Sequence, residues 1–285
     1  MKKLPKVAQR GVALIAVLWL VAAMGLIITG VVKAVRSEVQ ITSLHRQALL
    51  SMTQADAAIL LALQNLQAKK TEPLSTIQVI PVQFEGIVSQ VTATPLNGLI
   101  DINNASIPLL VELYRHAGGL SPTAAQTLAQ ATVEFRQLKS AKGTAQGFDA
   151  IEDLLRVSTM TYSLYAKINL LVTADLKEGS GRVNPLAAPL GVLEVLTAGD
   201  TSRAAILASK RSAESKLMDT SFLKPEHIEM ASSLSLRLQI SLALPNGGYS
   251  QKAWNIYWDA DPRSGLPWRV LGKQQLILTS NQVNH

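Results

Sequence analysis

Val12 to Val32 is an unbroken apolar run, VALIAVLWLVAAMGLIITGVV, of 21 residues without a charge. At about 1.5 Å per residue, a helix of that length spans roughly 30 Å, the hydrocarbon thickness of a bilayer. Beyond it the pattern changes from all-apolar to periodic. Ala48, Met52, Ala55, Ile59, Ala62 and Leu66 recur at spacings of 4, 3, 4, 3 and 4, which draws one apolar stripe along a helix. Gln47, Gln54, Asp56, Gln64 and Gln67 fall on the other faces. No Pro or Gly interrupts Val31 to Lys70. The pattern predicts a single helix over 12–68, roughly 85 Å long, with 12–32 in a membrane and the remainder packed on a globular domain.

The period then shifts again. Pro73, Pro81 and Pro95 break helices, and Phe84 to Thr92 has strand composition, so one or two strands are expected before a turn at Pro95-Leu-Asn-Gly98. Residues 101–230 read as mostly helical, over about 106–117, 121–138, 149–157, 161–168, 189–198, 202–210 and 224–232. Ser106 with Pro108, and Ser121 with Pro122, are helix starts, and Ala117-Gly118-Gly119 is a helix end. Ser233 to Leu244 alternates apolar and polar, which predicts a strand with one buried and one wet face. Pro245-Asn-Gly-Gly248 is a turn, Gln251–Trp258 its partner strand, and Leu266–Leu278 a further strand. The fold class is α+β: a long N-terminal helix on an antiparallel sheet (69–100 and 233–285), with an α-helical domain (101–232) inserted between strands.

An offset of 83 residues aligns two segments of this helical part. Gly98-Leu-Ile-Asp-Ile-Asn-Asn-Ala105 faces Gly181-Arg-Val-Asn-Pro-Leu-Ala-Ala188, and Leu110 and Leu113 match Leu193 and Leu196. Each reads as an extended entry, a side-chain-bonded turn and a helix. Asp101 and Asn184 are therefore expected to cap exposed N–H groups, not to do chemistry. The first segment continues through Gly118-Gly-Leu-Ser-Pro-Thr-Ala-Ala125 and Phe148-Asp-Ala-Ile-Glu-Asp-Leu-Leu-Arg-Val157, which look like a helix-hairpin-helix module.

Charge sharpens the reading of the N-terminus. Net charge is +7, but Lys2, Lys3, Lys6 and Arg10 all precede the apolar run. Without residues 1–11 the balance is 23 basic to 20 acidic, or +3. The basic cluster fits a cytoplasmic anchor better than a nucleic-acid partner, although Lys33 and Arg36 lie beyond the run. A secretory signal would have a shorter apolar stretch and a small-residue site after it. A plain signal anchor is the alternative. Basic residues, then Arg10-Gly11, then an uninterrupted apolar helix resemble a prepilin-type leader. There the peptidase cuts before the apolar stretch, here between Gly11 and Val12, giving a leader of residues 1–11. Counted from Val12, the fifth mature residue is Ala16, where most pilins and pseudopilins carry Glu. A subunit without that carboxylate does not bury a charge that a preceding subunit must neutralise, which fits a fibre end.

The leader ending QRG, VALIAVLWL without Glu at mature position five, GLIDINNA, FDAIEDLLRV and GRVNPLAAP occur together and in order. That set resembles the type II secretion system minor pseudopilin K (general secretion pathway protein K) family over nearly the whole chain. One departure is Leu186-Ala187, where the family usually reads Asn-Thr. The resemblance implies a non-enzymatic role and a pilin-like fold with a large helical insertion. It implies a place at the tip of a periplasmic pseudopilus, starting assembly and limiting length for export of folded proteins across the outer membrane. It implies minor pseudopilins I and J and other pseudopilins as partners, prepilin peptidase acting on the chain as substrate, and methylation of the mature end. The location it implies is the inner membrane, single-pass, with the C-terminal domain in the periplasm.

Other classes are weaker. A membrane-anchored helix-hairpin-helix DNA-binding protein would need a basic hairpin, yet Ser121 to Glu134 has no Lys or Arg, so no nucleic acid is expected. A minor pilin of a type IV pilus would share the leader, but the large insertion favours the secretion system. No GxSxG, HExxH or P-loop occurs, and His45, His116, His227 and His285 are scattered. Cysteine is absent, so disulfides and thiolate metal sites are excluded. Asp259-Ala-Asp261-Pro-Arg-Ser-Gly265 sets two carboxylates two apart before a turn, a candidate calcium loop whose alternative is a solvated turn.

A small residue at the cut site lets the leader enter a tight peptidase cleft in extended form. Gly11→Val is therefore expected to block processing, leaving the chain at full length by mass spectrometry; a variant that matures to the wild-type mass would overturn the leader.

Overall fold

The longest element, α1, runs from Gln9 to Ala68, 60 residues of helix. Its C-terminal end is where the sequence pattern sets it, but it starts three residues before Val12. The computed structural model describes residues 9–69, 73–84, 86–138, 147–176, 179–211, 219–243 and 249–278. Leader residues 1–8, the turn 245–248 and the end of the 233–285 segment lie outside them. Residues 1–53 and 54–285 form separate units.

In the first unit the described side chains from Ala13 to Val32 are all exposed, among them Leu14, Trp19 and Leu26. Apolar residues on every side of a helix are stable in water only if something covers them. Among the described residues, this is the one helix long and apolar enough to cross a membrane.

In the second unit, the end of α1 packs on an antiparallel sheet. Ala55, Ala58, Ile59, Ala62, Leu63 and Leu66 are buried together with Ile80, Val82, Val91, Ala93, Leu236, Leu238, Ile240, Trp254 and Ile256. Alanines in the stripe bring the helix backbone close to the strands, and Ile59, Leu63 and Leu66 fill the space between. Asp56 is not on an outer face. Its carboxylate accepts from Trp254 Nε1 at 3.1 Å and pairs with Lys252 Nζ at 2.6 Å.

Five strands form this sheet: β1 (Gln78–Phe84) and β2 (Ile87–Pro95), then β5 (Ser235–Ala243), β6 (Tyr249–Tyr257) and β7 (Arg269–Leu278), hydrogen-bonded in the order β1-β2-β5-β6-β7. All pairs are antiparallel. Pro81 is tolerated because β1 is an edge strand. Strands β2 and β5 are neighbours, with Thr94 opposite Arg237, so residues 96–234 leave and re-enter the sheet at the same place.

Those residues have a core of their own, built around Leu99, Ile102, Leu109, Leu113, Tyr114, Leu128 and Leu193. Its elements are β3 (Ile100–Asp101), α2 (Ile107–Glu112), α3 (Pro122–Gln137), α4 (Tyr162–Ile168), β4 (Val172–Thr173), α5 (Leu190–Leu196) and α6 (Thr201–Arg211). Ser106, Ser121 and Thr161 cap α2, α3 and α4 by accepting from Leu109 N, Ala124 N and Leu164 N. After α2 the helix widens over Leu113–Ala117, where Gly118 N donates to Leu113 O at 3.1 Å.

Several expectations change. The helix expected over 149–157 is a tighter 3₁₀ segment, Ile151–Arg156. The one expected over 224–232 is a single 3₁₀ turn, Pro225–His227. There the backbone turns outward: Val183 N donates to His227 O at 2.9 Å, and Glu229 N to Val183 O at 3.0 Å. Those cross-chain bonds take the groups a helix would need. Strand β5 does not alternate cleanly, because Ser235 to Leu238 are buried on both faces. Residues 170–175 of the helical part cover the face that periodicity left to water.

Leu63 is fully buried between α1 and the sheet. Leu63→Ala is expected to lower unfolding stability by about 3 kcal/mol, read as a lower urea midpoint at unchanged slope for the full chain in detergent; a shift below about 1 kcal/mol would show that the helix end does not hold the sheet.

Candidate functional site

Three places were marked by the sequence: the Gly11–Val12 bond, the two aligned turns and the carboxylates Asp259 and Asp261. The bond lies inside α1, since the helix begins at Gln9. A peptidase that takes an extended strand must unwind this turn first. Ala16 is exposed on the same helix. Thr29, within the apolar run, donates its hydroxyl to Gly25 O at 2.7 Å, so this hydroxyl presents no unmet donor on the apolar surface.

The aligned turns meet face to face. Asp101 Oδ1 accepts from Asn103 N at 2.9 Å, and Asn184 Oδ1 accepts from Leu186 N at 3.0 Å. Asp101 O accepts from Ala105 N at 2.7 Å, and Asn184 O from Ala187 N at 3.0 Å. Each side chain closes its own turn and not the helix start expected for it: α2 is capped by Ser106, and α5 begins after Pro189 without a side-chain cap. Gly98 and Gly181, which the 83-residue offset pairs, then play reciprocal parts. A Cβ on Gly98 would strike the Ala187 carbonyl, and one on Gly181 the Asn104 carbonyl. Gly181 also has φ +74°. Asn184 N donates to Asn97 O at 2.7 Å across the contact.

The rest of the first turn ties distant segments together. Asn103 Nδ2 donates to Phe148 O at 3.0 Å and Ala174 O at 3.1 Å, and its Oδ1 accepts from Phe148 N at 2.8 Å. Arg136, from the end of α3, donates to Ile102 O at 3.1 Å and Ala105 O at 2.9 Å. Burial pushes the Asp101 carboxyl up; its hydrogen bonds from Asn104 and Asn103, and the Arg136 charge, oppose that.

A third polar group joins sheet to helices. Arg237, 2% exposed, donates to Asn255 Oδ1 at 2.9 Å, Val172 O at 3.1 Å and Leu170 O at 3.3 Å. Asn255 Nδ2 in turn donates to Asp175 Oδ2. Burial pushes the guanidinium down to about 10, against the pull of Asp175, so it stays charged at neutral pH. Sequence reasoning missed this group, although the single Arg in the alternation Ser-Leu-Arg-Leu-Gln-Ile-Ser was the available signal. A cleft of about 590 Å³ opens beside it, with Asp175, Tyr257 and Arg269 among its lining residues. Arg269 there pairs with Asp259 at 3.3 Å and lies 5.0 Å from the Tyr257 ring.

Asp259 and Asp261 do not fit the calcium reading. Asp259 accepts from Ala260 N at 2.9 Å and from the Arg269 guanidinium. Asp261 accepts from Arg263 N at 3.0 Å and Ser264 Oγ at 2.8 Å, and its own N–H donates to Leu266 O. The hydrogen bonds from Arg263 N and Ser264 hold the Asp261 carboxyl below its ordinary value. Calcium asks for six to eight oxygens with net negative charge, whereas these two carboxylates brace a turn beside an arginine. Among the described residues, no three or more His, Asp or Glu side chains gather where a metal could sit.

The α2–α3 hairpin bears on the nucleic-acid reading. Gly118 N, Gly119 N and Leu120 N donate to Leu113 O, Arg115 O and Tyr114 O. A hairpin that grips a phosphate must offer such N–H groups outward; these three are turned into the helix end. No family model, curated protein or solved structure matches the chain.

Gly181→Ala adds a Cβ that meets backbone at a left-handed position, an expected loss of about 3 kcal/mol. Thermal unfolding of the purified chain should show it; a loss no larger than that of an exposed Gly25→Ala control would mean that the two turns do not bear on one another.

Proposed function

We propose that the chain is a minor pseudopilin of the type II secretion system, of the K kind, seated at the pseudopilus tip. The observation that carries this reading is α1. Its first half is apolar on all sides and uncovered, while its last turns carry a stripe buried on an antiparallel sheet. One helix made for two surroundings suits a subunit stored in a membrane and later drawn into a fibre. On this reading Gly11–Val12 is the prepilin peptidase site, and the inner membrane holds the chain before assembly with the C-terminal domain in the periplasm.

Two further features support a tip position and a pilin-like fold with an insertion. Ala16 removes the carboxylate that a subunit below another would use to meet its neighbour's terminal amine. The helical part between β2 and β5 has a full core of its own, which is bulk that a subunit stacked above would have to avoid. The partners on this reading are minor pseudopilins I and J, held by packing surfaces and not by a bound cofactor.

The test is genetic and biochemical together. Deleting the gene should leave folded exoproteins in the periplasm while surface pili and twitching persist, and the tagged chain should co-purify with the I and J subunits from detergent extracts. Loss of pili with secretion intact would transfer the chain to a type IV pilus. Isolation without either subunit would remove it from a tip complex.

A further inference from the structure

His227 ends the 3₁₀ turn Pro225–His227 and is 2% exposed. Neither ring nitrogen reaches a partner at full hydrogen-bond geometry, and the Glu226 backbone is placed to favour a proton on the ring. A neutral imidazole carries one donor and one acceptor, so neither is fully met in the folded chain. Buried polar groups are rarely left so, and a proton on this ring would add a buried charge with no hydrogen-bonded carboxylate beside it.

The charged groups that face the ring are Lys224 and Glu226 from its own turn and Glu112 from α2. Among the described residues that face the ring, Glu112 is the carboxylate from another element, and three side chains already partner it. Lys224 Nζ lies 2.9 Å from its Oε1, His116 Nε2 3.0 Å from its Oε2, and Arg115 3.9 Å away. An imidazolium at 227 would compete with all three.

The backbone of the same residue holds a seam. His227 O accepts from Val183 N, and Val183 O accepts from Glu229 N, forming a parallel bridge onto the second of the paired turns. Leu223 anchors the segment by burial in the helical core. Moving the ring into water therefore pulls on the bridge.

We propose that His227 is an acid-release latch, whose protonation frees residues 219–230 from Val183 while the β1–β7 sheet stays closed. Burial first, and then the charge of Lys224, lower the proton affinity of the closed form and outweigh the opposing pull of Glu226, its backbone and Glu112. The open form binds the proton at the ordinary value near 6.5. The closed state therefore has its full stability above pH 6.5 and loses it as pH falls from there toward the lowered value of the folded chain.

Hydrogen exchange resolved to single amides tests this on the full chain in detergent micelles. After correction for intrinsic rates, exchange at Val183 and Glu229 should rise between pH 7.5 and 5.0, by up to about 30-fold, the ratio set by a group of ordinary pKa 6.5 that only the open form protonates. The amide of Leu238 in β5 should not change. The rise should vanish in His227→Phe and in His227→Leu, which fill the site without titrating. A rise that persists in those variants, or no rise in the wild type, overturns the latch. If neither variant folds, the ring of wild-type His227 decides by NMR. Titration in step with exchange at Val183 supports the latch, and titration near 6.5 with those amides unchanged overturns it.

Discussion

The contact between the turn at Asp101 and the turn at Asn184 is the constraint from which the helical region follows. Two backbones approach closer there than any side chain would allow, because Gly98 and Gly181 each offer a bare Cα to the other's turn. Helices α2 and α5 start from these turns, at Ile107 and Leu190, so fixing the contact fixes both helix origins. Asn103 and Arg136 then bring Phe148, Ala174 and the end of α3 to the same point. The hydrophobic core around Leu109 and Leu193 fills what this frame encloses. The order of cause runs from a polar frame to an apolar filling, because an Asx turn can satisfy buried N–H groups that leucines cannot.

The frame is joined to the sheet by a charge. Arg237 stands in β5 where alternation alone predicts a wet side chain, yet it is buried because the carbonyls of Leu170 and Val172 reach over the strand. A buried guanidinium needs every donor met. Asn255, from β6, accepts from Nε, so each guanidinium nitrogen has an acceptor, and Asp175, from the chain after β4, holds Asn255 in place and offsets the charge. Sheet and helices are thereby held by directional bonds at one junction, while each keeps a separate apolar core.

Much of this was legible in the sequence, and the gaps have physical causes. The long helix, its sheet-facing stripe, the hairpin of β5 and β6, the capped helix starts and the aligned turns all rest on local spacing. Asp56 was misread because a narrow 4-3 stripe underestimates how much helix a sheet covers. Position 56 lies one helical turn from Met52 and Ile59 and two from Leu63, at the border of the buried face, where Trp254 and Lys252 meet it. The segment 224–232 has helix-forming residues but exchanges bonds with Val183, accepting its N–H at His227 O and donating Glu229 N to its carbonyl, a partner some 45 residues away that no local pattern reveals. The carboxylates at 259 and 261 have the spacing of ion ligands, but an arginine ten residues on from Asp259 and a serine three on from Asp261 decide their use.

The adjacency of β2 and β5 has a mechanical meaning. Tension applied along the sheet passes from β2 to β5 through their shared ladder and does not have to travel through residues 96–234. The helical part hangs from the load-bearing strands as a pendant, so its size and shape can vary without lengthening the path that carries force. An element outside that path can be bulky without disturbing the ladder that would carry it.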